Sequence, residues 1–210
     1  MAERKGYRGV TVFHLVRHGE HNLQSRVLAG RMPGVGLSER GRAEIAATAE
    51  RLAGDNIAAL YASPLQRTRE SAEILAQRLG LPVEFRDDLV ELDFGDWTGS
   101  TFDAIRADPM WQLWNSHRSI ARIPGGETMR DVQRRAVEAV MELRMRHPDD
   151  TVAVVSHGDV IRAALCFALT TPLEFITRIE VAPGSISTLR LEPADIRVLA
   201  INERPRNGVR

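Results

Sequence analysis

A largely apolar run over residues 10–16 ends abruptly at Arg17, His18 and Gly19, standing side by side. Such a run is a strand covered on both faces, as the central strands of parallel sheets are. A charged group at its end has no place in the core, so it belongs at the rim of a sheet. The run "TVAVVS" at 151–156 repeats the arrangement, with His157 and Gly158 behind it. Residues 57–63 read as a third strand and 83–85 as a short one. Helical patterns stand between them. Ser38 caps a helix running to about residue 53, with Gly54 as its stop signal. Pro64 ends a strand and opens the first turn of a helix whose apolar positions Ala72, Ile74, Leu75 and Leu79 lead to Gly80. Met129, Val132, Ala136, Val140 and Leu143 recur at helical spacing, and 159–169 is a mostly apolar helix. Residues 91–99 read as a loop with glycine bends, and 100–124 as short helices over the sheet. "SISTLRLE" and "IRVLAIN" alternate as a closing hairpin or pair of edge strands. Strands alternating with helices predict an α/β fold, a three-layer α/β/α sandwich around a mostly parallel sheet.

At 210 residues the chain is long enough for one proper core. The expectation is a single domain over 1–210, with about 100–125 as a lid or cap-like insertion and about 203–210 as a mobile tail. Formal net charge is zero, which leaves no global basic field to recruit nucleic acid or anionic lipid. The longest uninterrupted apolar run, 163–169, is too short to span a bilayer, and the first nine residues are charged rather than apolar. A soluble cytoplasmic protein is expected, monomer or homodimer, with neither nucleic acid nor membrane as partner. Cys166 is the only cysteine, which excludes an intramolecular disulfide and a cysteine-based zinc site. It reads as a small core residue.

In open α/β sheets ligands bind beyond the carboxyl ends of the strands. Arg17 and His18, Arg67, Glu91, and His157 all follow strand ends or neighbouring loops. Two histidines, two arginines and one carboxylate then face one pocket, and that set suits phosphoryl transfer. The reaction needs a nucleophile, cationic donors for the phosphoryl oxygens and a proton for the leaving oxygen. A neutral imidazole carries a lone pair near pH 7. The arginine fork stays charged and binds two oxygens together. A second histidine, protonated beside the phosphate, adds charge-assisted donation. A carboxyl group gives its proton to the leaving alkoxide and then takes one from water. This arrangement calls for no metal and no cofactor.

Four segments carry a resemblance. "LVRHGE", "YASPLQRTRESAEILA", "ELDFGDWTG" and "VVSHGDVIRAAL" resemble, in order, the motifs of the histidine phosphatase superfamily, with its phosphoglycerate mutase-like fold. The resemblance implies His18 as the phospho-accepting nucleophile, Arg17, Arg67 and His157 as holders of the phosphoryl oxygens, and Glu91 as the proton donor. Gly19 allows a close backbone turn, and it offers a carbonyl able to fix the histidine tautomer. The family often has an asparagine seven places after the arginine. Gln24 stands there in this chain, with Asn22 two earlier, and both are candidate substrate contacts. "DFGDWTG" with "PGGETMRDVQRRA" is closer to the small phosphatases than to the mutases. The implied activity is a metal-independent phosphomonoesterase acting through a phosphohistidine on a small phosphorylated metabolite. Mutase-type phosphoryl transfer is the alternative. A non-catalytic phospho-ligand binder would lack the nucleophile or the acid, and both are present.

The remaining polar residues divide into structural and site candidates. His14 alternates within the first strand and reads as structural, and His147 as a charge at a helix C-terminus. His21 and His117 lie in loops, open to substrate contact or plain exposure. Arg31 and Arg42 flank the pocket as weak anion contacts in the resembled family. Trp111 and Trp114 either form a lid over the substrate or cover the sheet.

Overall fold

The computed structural model describes residues 9–205, and the charged segment 1–8 lies outside them. Six strands run β1 Thr11–Arg17, β2 Ile57–Ala62, β3 Val83–Phe85, β4 Thr151–Ser156, β5 Ile186–Glu192 and β6 Asp195–Glu203. Six α-helices run α1 Glu39–Leu52, α2 Gln66–Leu79, α3 Phe102–Ile105, α4 Pro109–Ser116, α5 Met129–Arg146 and α6 Gly158–Ala168. The sheet order is β3-β2-β4-β1-β5-β6. The first four are mutually parallel, and the β5–β6 hairpin closes one edge antiparallel.

The continuous apolar runs have a simple cause. β1 and β4 occupy central positions with helices on both faces. Phe13, Leu15, Val152 and Val154 pack with α5 and α6 residues such as Val132, Val140 and Ile161. Val16, Ala153 and Val155 pack on the opposite face with Ile45, Ala49, Ala72 and Leu75 of α1 and α2. Alternate side chains of one strand therefore enter two cores, and no position is left for a polar alternation. Cys166 is fully buried in the first core. His14 is buried between Thr188 and Asp55.

The helix punctuation follows local chemistry, with two differences from expectation. The Ser38 side chain accepts from the Gly41 N–H, and Thr128 with Asp131 forms a reciprocal capping box at α5. Gly80 ends α2 in the left-handed conformation, φ 69°. Pro64, however, precedes the N-cap Leu65 and lies outside α2, because the chain stays extended for one more residue before turning. Gly54 does not supply the left-handed residue after α1; Asn56 does, at φ 49°. Of the tail expected to be mobile, Glu203 closes β6 and pairs with Arg51 at 2.6 Å, and residues 206–210 lie outside the described residues.

Two features aim the chain at the site. The parallel register sets Arg17 beside Ser156 and Ala62 beside Val155, so β1, β4 and β2 end at one rim. Then α1 is packed directly onto the turn after β1. A Cβ on Gly19 would lie 2.3 Å from the Gly41 carbonyl oxygen, and one on Gly41 would lie 2.1 Å from that of Glu20. Only two glycines permit this backbone approach.

Residues 100–125 contain α3 and α4. Trp114 is 1% exposed within an aromatic group with Phe94, Trp97 and Trp111, and the Arg118 guanidinium stacks on it at 3.5 Å. The two tryptophans pack into this aromatic group with Phe94 and Trp97, and neither lines the cavity described below.

Candidate active site

The residue after each of the three strand ends supplies the base of the site. His18 follows β1, His157 follows β4 and Ser63 follows β2. The backbone ladder extends one step to hold them, with His18 N–H on the Ser156 carbonyl and Ser63 N–H on that of Val155, both at 3.0 Å. The two imidazoles are thereby brought to 5.2 Å between ring centroids, although 139 positions separate them in sequence.

The His18 ring is buried, and its Nδ1 lies 2.8 Å from the Gly19 carbonyl oxygen. A carbonyl only accepts, so Nδ1 carries the hydrogen and Nε2 the lone pair. Arg67, from the first turn of α2, donates Nε–H to that Nε2 at 3.2 Å and Nη2–H to the Gly30 carbonyl at 2.7 Å. Arg67 does not pair with Glu70 along its own helix; Glu70 instead takes Arg42 and Gln66. Arg17 reaches back to the Val181 carbonyl at 2.7 Å. His157 holds the Ser63 hydroxyl at 2.8 Å.

Burial pushes both imidazoles well below the ordinary histidine range, and the neighbouring Arg67 charge pushes them further. Both rings are therefore neutral at pH 7. For His18 that is the state a nucleophile needs. His157, expected to be protonated beside the phosphate, is neutral in the free protein, where a buried ring beside guanidiniums has nothing to stabilise a second positive charge. Glu91 behaves in the opposite sense. Burial, then the negative charge of Asp159, push its carboxyl up to about 7, against the opposing pull of Arg67 and the Leu92 N–H. It retains a proton at a pH where an ordinary glutamate is ionised.

These groups open on a cavity of about 140 Å³ lined by Arg17, His18, His21, Gln24, Arg67 and Glu91, together with Phe94, Phe102, Asp159 and Arg162. Arg17 Nε, Arg67 Nη1 and His157 Nδ1 are buried with no hydrogen-bond partner among the described residues. Unpaired buried polar atoms are uncommon and costly. Here three of them belong to the immediate neighbours of one imidazole, that of His18.

The structure thus brings together Arg17, His18, Arg67, Glu91 and His157. It brings Gln24, not Asn22, to the wall: Asn22 sits exposed in the intervening turn. Of the two open loop histidines, His21 lines the cavity, with burial lowering it to about 4, and His117 caps α4 at the surface. Arg31 is tied to the Glu91 carbonyl, Asp93 and Glu127, and Arg42 to Glu70, so neither is offered to an anion. His147 caps α5 while bridging Tyr61 and Asp150.

Sequence reasoning missed the Gly30 carbonyl, Ser63, Asp159, Arg162 and Phe102. For Asp159 and Arg162 a signal existed. Both lie in "SHGDVIR", Asp159 on the first turn and Arg162 at the start of the second turn of a helix that starts at the site. Among the described residues no group of three or more histidine, cysteine or carboxylate side chains is placed to hold a metal ion, and no helix is long and apolar enough to cross a membrane.

Comparison with known proteins is consistent with this geometry. The family model of the histidine phosphatase superfamily, branch 1, matches residues 13–204. A protein of Mycobacterium tuberculosis described as bifunctional is 38% identical over 87% of this chain, which spans about half (51%) of that relative's length. Phosphoserine phosphatase 1 of Hydrogenobacter thermophilus is 30% identical, over 90% of each chain. The solved structure of a mycobacterial glucosyl-3-phosphoglycerate phosphatase superposes with a TM-score of 0.83 at 26% identity, covering 92% of this chain and 99% of that one.

Proposed function

The chain belongs to the histidine phosphatase superfamily, and from that premise we propose that it is a metal-independent phosphomonoesterase working through a phosphohistidine on a small phosphorylated metabolite. The observation that carries this reading is a set of unpartnered donors, Arg17 Nε, Arg67 Nη1 and His157 Nδ1, on the residue before His18 and on two that contact its ring, whose Nε2 holds a lone pair. Equatorial phosphoryl oxygens would satisfy all three. They would also add the negative charge that these cationic and buried groups lack.

In the first step the His18 Nε2 lone pair attacks phosphorus. The N–P bond forms as the P–O ester bond breaks, and the departing oxygen takes the Glu91 proton. The Arg67 Nε–H that caps Nε2 in the free protein moves to a phosphoryl oxygen, which unmasks the nucleophile. The Gly19 carbonyl stabilises the positive charge that builds on the ring through Nδ1–H. In the second step the Glu91 carboxylate takes a proton from water, the water oxygen attacks phosphorus, and the N–P bond breaks. His18 returns to its starting form and inorganic phosphate leaves. We read residues 100–125 as the cap of this site, with Phe102 as the side chain that meets the organic part of the substrate. The relatives named phosphatases favour hydrolysis over mutase-type transfer.

The test is phosphate release from p-nitrophenyl phosphate in excess chelator, with His18→Ala in parallel. Turnover that falls to background in the variant is expected. Turnover that survives it overturns the nucleophile, and exchange between phosphoglycerate isomers with little phosphate release overturns the choice of hydrolysis.

A further inference from the structure

Besides the phosphoryl clamp, the cavity is lined by a guanidinium with no part in the reaction above. Arg162 projects from α6, one turn past His157. Its Nε is held by the Ile179 carbonyl at 2.9 Å and its Nη1 by Asp159 at 3.3 Å. These two tethers fix the plane of the fork, and the structure records no hydrogen bond for Nη2 among the described residues. A Cβ built on Gly158 would lie 3.4 Å from Arg17 Nε and Cζ and 3.5 Å from Arg162 Nη1. The two guanidiniums therefore both lie against the Gly158 backbone, and both line the cavity.

Like charges held this close repel, and one carboxylate, Asp159, does not cancel them. Arg17, Arg67 and Arg162 line the cavity. Arg118, buried with its Nε unpartnered, adds a further positive charge that acts on this group through Asp159 and Arg162. A phosphomonoester dianion held by Arg17 and Arg67 leaves the Arg162 fork, bonded to Asp159 and the Ile179 carbonyl, facing the same cavity.

We infer that Arg162, tethered by Asp159 and Ile179, takes a carboxylate of the substrate, so that the preferred substrates are small phosphorylated carboxylic acids rather than neutral sugar or alcohol phosphates. The inference rests on the phosphatase reading for the placement of the phosphoryl group on Arg17. Because both guanidiniums flank Gly158, the phosphoester and the carboxylate belong roughly two or three atoms apart on one small molecule. A planar fork held at two of its nitrogens has lost its rotamer freedom in advance, so it pays little to bind a planar carboxylate. Asp159 acts through Arg162, as a positioning residue.

The test uses non-hydrolysable probes, so that binding is read apart from turnover. Calorimetry of 3-phosphonopropionate and propylphosphonate against the intact protein compares one carboxylate with none at the same chain length. Wild type is expected to favour 3-phosphonopropionate by about tenfold or more. In Arg162→Gln that ratio falls to about one, and Arg162→Lys, which keeps the charge without the fork, retains part of it. Thermal unfolding of both variants checks that they remain folded. A ratio near one in wild type, or an undiminished ratio in Arg162→Gln, overturns the inference. Wild-type turnover of p-nitrophenyl phosphate in the same preparation keeps the two readings apart. Turnover without carboxylate preference refutes the role of Arg162 alone. Carboxylate preference lost in Arg162→Gln, without turnover, upholds Arg162 and refutes the phosphatase.

Discussion

Glu91→Gln isolates the proton donor from every other part of the site. Glutamine keeps the size of the side chain and an acceptor for the Leu92 N–H, now at 2.9 Å, but has no acidic proton. A glutamic acid titrating at its ordinary 4.5 is protonated in about one molecule in three hundred at pH 7, and one pushed to about 7 in about half. Burial and the Asp159 charge thus raise the competent fraction on the order of 10²-fold. For an alkyl phosphomonoester, whose alkoxide cannot leave unprotonated, Glu91→Gln is expected to lower kcat/KM by about 10²- to 10⁴-fold. For p-nitrophenyl phosphate, whose phenolate departs unaided, the loss is about tenfold or less. In wild type only the protonated carboxyl donates, so kcat/KM for the alkyl ester is high below pH 7 and falls as pH rises through it. Asp159→Asn removes the negative charge that favours the proton and shifts that fall to lower pH. Phosphate release from both esters between pH 5 and 9 measures all of this. A profile flat to pH 9, or equal losses on the two esters, would refute Glu91 as the donor.

The same carboxyl carries a stability consequence. Folding raises its pKa from 4.5 to about 7, so the native state holds the proton more tightly than the unfolded chain, and stability is lost as pH rises between those values. Glu91→Gln is expected to be more stable than wild type by roughly 3 kcal/mol at pH 8 and no more stable at pH 4. Urea unfolding at the two pH values decides it; an equal difference at both would show that the gain is packing and not titration. At the other end of the site, Gly41→Ala places a Cβ 2.1 Å from the Glu20 carbonyl oxygen. The expected cost is about 3 kcal/mol, with a loss of activity because the turn that carries His18 must move. An unchanged thermal midpoint would mean that α1 can shift without disturbing β1.

Much of the architecture was legible because its causes are local. Strand runs covered on both faces, a serine at a helix start and a glycine at a helix end act through neighbours a few residues away, and those neighbours are visible in the chain. Arg17 and His18 were legible for the same reason, being adjacent at a strand end. Asp159 and Arg162 escaped notice because a histidine-centred motif draws attention to His157 and Gly158, while their aim into the cavity depends on where α6 begins. Pro64 was misplaced by two residues, because its fixed φ suits an extended segment before the cap as well as the first turn of a helix.

The sequence by itself determined which elements form and which chemistry-bearing residues stand at their ends. Only the tertiary structure decided which of those residues meet and in what charge state. His157 reaches His18 through a parallel register between strands far apart in the chain. Gln24 rather than Asn22 faces the cavity because of how one turn runs, and Arg31 is withdrawn because Glu127 lies within 2.8 Å of it. Two histidines are neutral and one glutamate is protonated near neutral pH because all three are removed from water beside particular charges. Local propensity is read over a few residues, but desolvation and Coulomb interaction depend on distances that exist only once the chain has folded.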